Sequence, residues 1–157
     1  MSKPRRDSAR VRIPPPLIFG VMIVLGRSIE IAFPLPTPLP RLAGTVLALL
    51  LGGMGLGLIV AAAGRFSSTG QKPAPWTPTP QIINDGIYRY TRNPMYVGMA
   101  LLQAALGLGV SSLWIVLMVP ASAAAVYLTA IRPEENYLTE KFGEGYLSYK
   151  RTVRRWF

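Results

Sequence analysis

Long apolar runs without charged residues dominate the pattern of this chain. Residues 42–63, LAGTVLALLLGGMGLGLIVAAA, contain no charged side chain. A helix of this length extends about 33 Å at ~1.5 Å per residue, enough to cross the roughly 30 Å hydrocarbon core of a bilayer. This run therefore predicts a membrane-spanning helix.

A second uncharged run covers residues 95–131 and is too long for one crossing. The stretch Gly109-Val110-Ser111-Ser112 offers a turn that divides it into helices at 94–109 and 113–131, which we expect to form a hairpin. A weaker apolar segment at 14–34 contains Arg27 and Glu30, whose i, i+3 spacing allows them to pair on one helical face. The predicted fold is all-α, a polytopic membrane bundle of about four transmembrane helices with an amphipathic C-terminal tail.

The Lys and Arg residues outside these spans are concentrated in alternate connections, and the other two connections hold only Arg41. Cytoplasmic loops carry an excess of Lys and Arg, so this pattern predicts that both termini face the cytoplasm. The concentrated cations are Lys3, Arg5, Arg6, Arg10 and Arg12 before the first span; Arg65, Lys72, Arg89 and Arg92 between the second and third; and Arg132, Lys141, Lys150, Arg151, Arg154 and Arg155 after the fourth.

The amino-acid composition excludes several kinds of binding site and catalysis. The predicted topology explains the net charge of +10. A secondary effect of this charge is attraction to anionic membrane lipids. Nothing in the sequence resembles a soluble nucleic-acid recognition module. The chain has no Cys, which excludes disulfides and thiolate catalysis, and no His, the usual neutral-pH base and metal ligand. We expect neither a metal site nor a cleaved signal peptide, because the first apolar run passes through charged residues without a small-residue cleavage site.

Two polar clusters flank the predicted hairpin. Asn93 is a favoured N-cap residue and Pro94 suits the first helical position. At the other end, Pro133 is expected either to kink the fourth helix or to begin a new one that continues to Phe142 and stops at Gly143. A turn near residue 110 brings residues 92–96 and 132–135 to the same level, so the clusters form one site. Helix capping with snorkelling arginines explains each cluster separately without any function.

The chain also contains a series of short motifs between residues 64 and 157. The motifs are Phe66 and Gly70; Gly86-Ile87-Tyr88; Arg92-Asn93-Pro94-Met95-Tyr96-Val97-Gly98; Glu134-Glu135; and Phe142-Gly143-Glu144-Gly145-Tyr146 followed by Tyr149-Lys150. In order and spacing they resemble the isoprenylcysteine carboxyl methyltransferase and phospholipid methyltransferase group of integral membrane methyltransferases.

The resemblance implies that S-adenosylmethionine is the methyl donor, bound in a pocket that faces the cytoplasm. It also implies catalytic roles for Arg132, as a substrate clamp, and for Glu135. Adjacent helical residues point about 100° apart, so we expect Glu134 to contact the donor and Glu135 to point elsewhere. The implied cofactor-binding residues are Ile82, Ile83, Tyr88, Asn93, Pro94, Tyr96 and Glu134.

Two positions depart from the family pattern. Eukaryotic carboxyl methyltransferases have His where this chain has Asn93, which forms hydrogen bonds but does not titrate near neutral pH. Arg132 is near, but not in register with, the basic residue that precedes the Glu pair in those enzymes. A carboxylate acceptor needs no base and a protonated amine does, so the lack of His slightly favours a carboxylate.

The acceptor stays open among a prenylated protein, a phospholipid amine and a small hydrophobic metabolite, and the oligomeric state is not predicted. A non-catalytic lipid-binding or assembly protein is the main alternative, and a small transporter is a weaker one. We divide the chain into a basic N-terminus (1–13), two transmembrane helices (14–63) and a methyltransferase core (64–157).

Overall fold

All regular secondary structure in the described part of the chain is helical, which confirms the predicted fold class. The computed structural model describes residues 8, 9, 11, 13–72, 74, 77 and 79–156. The five N-terminal cations and Phe157 therefore lie outside the described residues. The α-helices are α1 Pro15–Ala32, α2 Arg41–Ser68, α3 Pro94–Gly109, α4 Leu113–Leu117, α5 Val119–Val126, α6 Arg132–Phe142 and α7 Glu144–Thr152, with a 3-10 helix at Gly86–Arg89 and a π-helical segment at Tyr127–Ile131.

The apolar helices correspond to the four predicted spans. By length and hydropathy, α1, α2 and the continuous helical stretch Leu113–Phe142 are each able to cross a membrane. The remaining apolar helix, α3, has only 16 residues. Because α3 and the stretch from α4 to α6 fold back at the turn after Gly109, the chain forms the predicted hairpin.

The glycine-rich part of α2 is a packing surface. A Cβ atom placed on Gly55 would lie 2.7 Å from the Gly98 carbonyl oxygen, and one on Gly98 would lie 2.7 Å from the Gly55 carbonyl oxygen. The backbones of α2 and α3 therefore approach too closely for any side chain at this crossing. Small residues allow such close approach between membrane helices.

Glu30 connects α1 to the hairpin turn. Its carboxylate accepts hydrogen bonds from the Leu35 backbone N–H at 2.9 Å, the Ser112 hydroxyl at 3.1 Å and the Trp114 backbone N–H at 3.4 Å. The side chain is thus used to satisfy donors at the start of α4, and Arg27 is exposed. The i, i+3 spacing allowed Arg27 and Glu30 to pair, but it did not predict these hydrogen-bond donors, which come from Leu35 and from the distant hairpin turn.

The helical stretch that begins at α4 continues through Pro133, with the π-helical segment immediately before α6. Glu134 and Glu135 lie in the first turn of α6, and α6 stops, as predicted, at Gly143, which has a φ of 53°. Trp156 packs against a core cluster that includes Phe19 of α1.

Candidate functional site

A cleft opens where the end of α2, the segment 79–83 and the first turns of α3 and α6 meet α7. It contains about 820 Å³ of space between protein atoms, part of it open to solvent. Every residue to which the resemblance gives a cofactor-binding role lines this cleft. These are Ile82, Ile83, Tyr88, Asn93, Pro94, Tyr96 and Glu134.

One hydrogen bond joins the two helices of the hairpin across the cleft. The Tyr96 hydroxyl donates to Oε1 of Glu134 at 2.7 Å, between residues 38 positions apart in the sequence. Tyr96 lies in the first turn of α3 and Glu134 in the first turn of α6. A short bond to a carboxylate is stronger than one between neutral groups, so it fixes the carboxylate against the cleft wall.

Glu135 points away from the cleft into a cluster of cations. Its carboxylate accepts two hydrogen bonds from Arg155, both at 3.0 Å. It also lies 3.3 Å from Nη1 of Arg92 and 3.7 Å from Nζ of Lys150. Glu135 is buried and does not line the cleft. The two carboxylates thus diverge, as expected for adjacent helical residues.

Arg132, the predicted substrate clamp, is exposed at the start of α6 and does not line the cleft. Arg92 is the cation on the cleft wall, with a side chain only 8% exposed. Sequence reasoning placed Arg92 in a motif but assigned it no role in the site.

The C-terminal segment holds the start of α3 in place. Asn93 occupies the N-cap position, but its side chain makes no capping hydrogen bond. Its Nδ2 instead donates to the Arg155 carbonyl oxygen at 3.0 Å, and the Thr91 hydroxyl donates to the same oxygen at 3.1 Å. The Arg92 backbone N–H donates to the Arg154 carbonyl oxygen at 3.0 Å. The backbone of Arg154 and Arg155 therefore fixes the position of residues 91–93, at the start of α3 beside the cleft.

Three tyrosines outside the spans add neutral hydroxyl groups to the cleft wall. Burial raises the pKa of Tyr146 to about 12 and raises the pKa values of Tyr88 and Tyr149 further. The Tyr149 hydroxyl donates to the Tyr88 carbonyl oxygen at 2.7 Å. These phenols stay protonated at neutral pH, so they act as hydrogen-bond donors and not as bases.

Two buried polar side chains on the cleft wall have atoms without a hydrogen-bond partner among the described residues. They are Gln71, through Oε1, and Arg92, through Nε and Nη1, although Nη1 of Arg92 forms an ion pair with Oε1 of Glu135 at 3.3 Å. Buried polar atoms are nearly always satisfied in folded proteins. Sequence reasoning missed Gln71 because no local pattern marks a Gln in a polar loop. Within the described residues, no group of His, Cys, Asp or Glu side chains is arranged to hold a metal ion.

A family model described as phospholipid methyltransferase matches residues 43–145. The chain belongs to the phospholipid methyltransferase family. This match confirms the family predicted from the motifs, and it encloses both Tyr96 and Glu134. No curated protein and no solved structure matches the chain. Together with the apolar helices, the family shows an integral membrane methyltransferase of lipid-related substrates.

Proposed function

We propose that the protein transfers a methyl group from S-adenosylmethionine to a lipophilic acceptor that enters the cleft from the bilayer. One contact carries this proposal, the 2.7 Å hydrogen bond between Tyr96 and Glu134. It lies on the wall of a cleft within the segment that the family model covers. Helix capping explains each polar cluster alone, but it does not require the clusters to meet across a cavity.

The cleft is suited to a nucleoside-containing cation. Phe66, Ile82 and Ile83 provide apolar wall, and Glu134 provides negative charge. Oε1 of Gln71 and Nε of Arg92 have no hydrogen-bond partner among the described residues, so they offer one acceptor and one donor to a ligand with polar groups of both kinds.

When bound, S-adenosylmethionine supplies a methyl group on a positively charged sulfur, which an acceptor displaces in line. Positioning accounts for much of the acceleration of such a reaction. In this protein Tyr96 holds the Glu134 carboxylate in one orientation, and Asn93 is held by the Arg155 carbonyl oxygen. Glu135 then acts as a positioning residue, since it holds Arg92 and Arg155 and does not reach the cleft.

The acceptor is a carboxylate of an isoprenylcysteine-like substrate or a phospholipid amine. Glu134 is the only carboxylate among the described residues on the cleft wall, so it would receive the proton that an ammonium group must lose. A carboxylate acceptor needs no base and would instead find the Arg92 guanidinium, a role that we transfer from the exposed Arg132.

Calorimetric titration of the purified protein with S-adenosylhomocysteine tests the donor site. We expect saturable one-to-one binding in detergent or nanodiscs, and its absence at high protein concentration would contradict the proposal. Incubation of membrane extracts with isotopically methyl-labelled S-adenosylmethionine, with and without the protein, then identifies the acceptor by mass spectrometry. A labelled carboxyl ester and a labelled amine distinguish the two acceptor classes.

A further inference from the structure

Gln71 lies in the turn that follows α2, where two hydrogen bonds and the backbone conformation of Gly70 fix its position. Its backbone N–H donates to the Phe66 carbonyl oxygen at 2.9 Å. Its side-chain Nε2 donates to the Thr69 hydroxyl oxygen at 3.0 Å. The preceding Gly70 has a φ of 69°, a conformation that favours glycine. Only 7% of Gln71 is exposed, so its side chain is fixed before any ligand arrives.

The hydrogen bonds of Thr69 determine which way the Gln71 amide points. The Thr69 hydroxyl donates its proton to backbone carbonyl oxygens, that of Phe66 at 3.0 Å and that of Arg65 at 3.2 Å. Since a hydroxyl has one proton, its oxygen must accept from the amide nitrogen of Gln71. Gln71 lines the cleft, and its amide oxygen is therefore the buried atom left without a hydrogen-bond partner among the described residues.

We infer that Gln71 is a further binding residue of the cleft, whose amide oxygen accepts a hydrogen bond from an N–H or O–H group of the methyl donor. This inference rests on the proposed function. A buried acceptor without a donor costs free energy in the ligand-free protein, and that cost is recovered when a donor fills the position. The acceptor selects for a ligand with a donor group at this point, because an analogue lacking that group leaves Oε1 unsatisfied.

The variant Gln71→Met tests the inference because methionine has similar length but lacks the amide acceptor. We expect its affinity for S-adenosylhomocysteine to fall by roughly threefold to tenfold, the effect of one hydrogen bond. The melting temperature of the ligand-free variant should change little, since the loss of the hydrogen bond from Nε2 to Thr69 is offset by removal of an unsatisfied acceptor. Ser67→Ala is the matched control, because Ser67 is exposed at the same helix end and does not line the cleft. Its affinity should equal that of wild type.

Two analogues identify the group that Gln71 contacts. If the affinity loss of Gln71→Met disappears with S-inosylhomocysteine, which lacks the adenine amino group, that amino group is the donor. If the loss persists with S-inosylhomocysteine but disappears with 5′-methylthioadenosine, the donor is the ammonium group of the amino acid portion. A loss that persists with both ligands assigns the contact to a ribose hydroxyl. Each of these results supports a direct contact.

Equal affinity of wild type and Gln71→Met for S-adenosylhomocysteine would overturn the inference and leave the proposed function intact. A loss of affinity accompanied by a lower melting temperature of the ligand-free variant would also overturn it, because the role of Gln71 would then be structural. Absence of binding to the wild-type protein is a separate outcome, in which the proposed function fails and this inference fails with it.

Discussion

At the scale of single residues, the Tyr96 hydroxyl and the Glu134 carboxylate form a unit. The hydroxyl donates its hydrogen bond to Oε1, one of the two carboxylate oxygens of Glu134. The carboxylate of Glu134 thus supplies charge, and Tyr96 determines where that charge lies. The two side chains are therefore expected to contribute unequally to ligand binding.

Glu134→Gln should weaken S-adenosylhomocysteine binding more than Tyr96→Phe does. Removing the charge eliminates charge-assisted hydrogen bonds of about 1.5–3 kcal/mol, equivalent to a loss of at least roughly tenfold in affinity. Tyr96→Phe retains the carboxylate and should cost about 0.5–1.5 kcal/mol of binding free energy. Calorimetry measures both affinities, and circular dichroism of the ligand-free variants checks the fold. Equal losses of folded protein in both variants, without a specific loss of affinity, would favour purely structural roles.

Arg155→Gln should destabilise the folded protein. Arg155 donates two hydrogen bonds to the buried Glu135, which retains only weaker contacts with Arg92 and Lys150 after the change. We expect the free energy of unfolding to fall by about 1–3 kcal/mol, the cost of an undercompensated buried charge. Arg151→Gln is the control, because the Arg151–Glu144 ion pair is exposed and worth little. Denaturant titration in mixed micelles measures the free energy of unfolding of each variant. Equal stability of the two variants would contradict this prediction.

Asn93 illustrates what local sequence rules predict and what they miss. The rules placed it correctly at the N-cap position, because the Asn-Pro pair is a local signal for a helix start. They did not predict its partner, since the Arg155 carbonyl oxygen lies 62 residues away in the sequence. Gln71 was missed for the same reason, as its significance depends on the walls that surround it.

At the scale of helices, the contact between α2 and α3 depends on paired glycines. Gly55 and Gly98 each leave room for the backbone of the opposite helix. Gly53, on the same helix as Gly55, has open space where a Cβ would lie. Gly53 can therefore accept a side chain and Gly55 cannot, although the sequence around both is almost uniformly apolar.

Gly98→Ala should destabilise the bundle, and Gly53→Ala should not. The added Cβ of Gly98→Ala would collide with the Gly55 carbonyl oxygen, and such overpacking typically costs about 1–3 kcal/mol. At Gly53 the better helix propensity of alanine should leave the free energy of unfolding unchanged or raise it by up to about 1 kcal/mol. Thermal unfolding in detergent compares the two, and similar destabilisation would show that glycine flexibility matters more than helix packing.

Helices were the most predictable part of the fold, because uncharged runs of this length have few alternatives in water or lipid. The hairpin turn followed from Gly109 and the serines beside it. The π-helical segment at Tyr127–Ile131 was not predicted, since an extra residue in a helical turn has no distinct composition. The hydrogen bonds of Glu30 to Ser112 and Trp114 were not predicted either, because these partners are distant in the sequence.

At the scale of the whole molecule, the cleft and the Glu30 contacts lie at opposite ends of the bundle. The positive-inside rule predicts that the cleft end faces the cytoplasm. This orientation would give the cleft access to a water-soluble methyl donor and, through its lipid-facing side, to an acceptor in the bilayer. Because the chain has no Cys, a single introduced thiol reports the location of its position.

Ser148→Cys in α7 and Ser111→Cys at the hairpin turn, both at exposed positions, test the orientation. A membrane-impermeant maleimide added to intact cells should label Ser111→Cys. Ser148→Cys should react only after the cells are permeabilised. The reverse pattern would place the cleft on the outer side and contradict the predicted topology, whereas labelling of both in intact cells would contradict a bundle that spans the membrane.

The π-helical segment Tyr127–Ile131 determines which acidic side chain faces the donor pocket. A π-helical turn holds one residue more than an α-helical turn, so straightening this segment into regular α-helix at the same chain length would move each following residue on by one position, or about 100° of rotation. Glu134 would then take the place of Glu135 beside Arg155, and Pro133 would stand opposite Tyr96. A regular helix of the same length would thus keep the electrostatic anchorage and lose the carboxylate from the cleft.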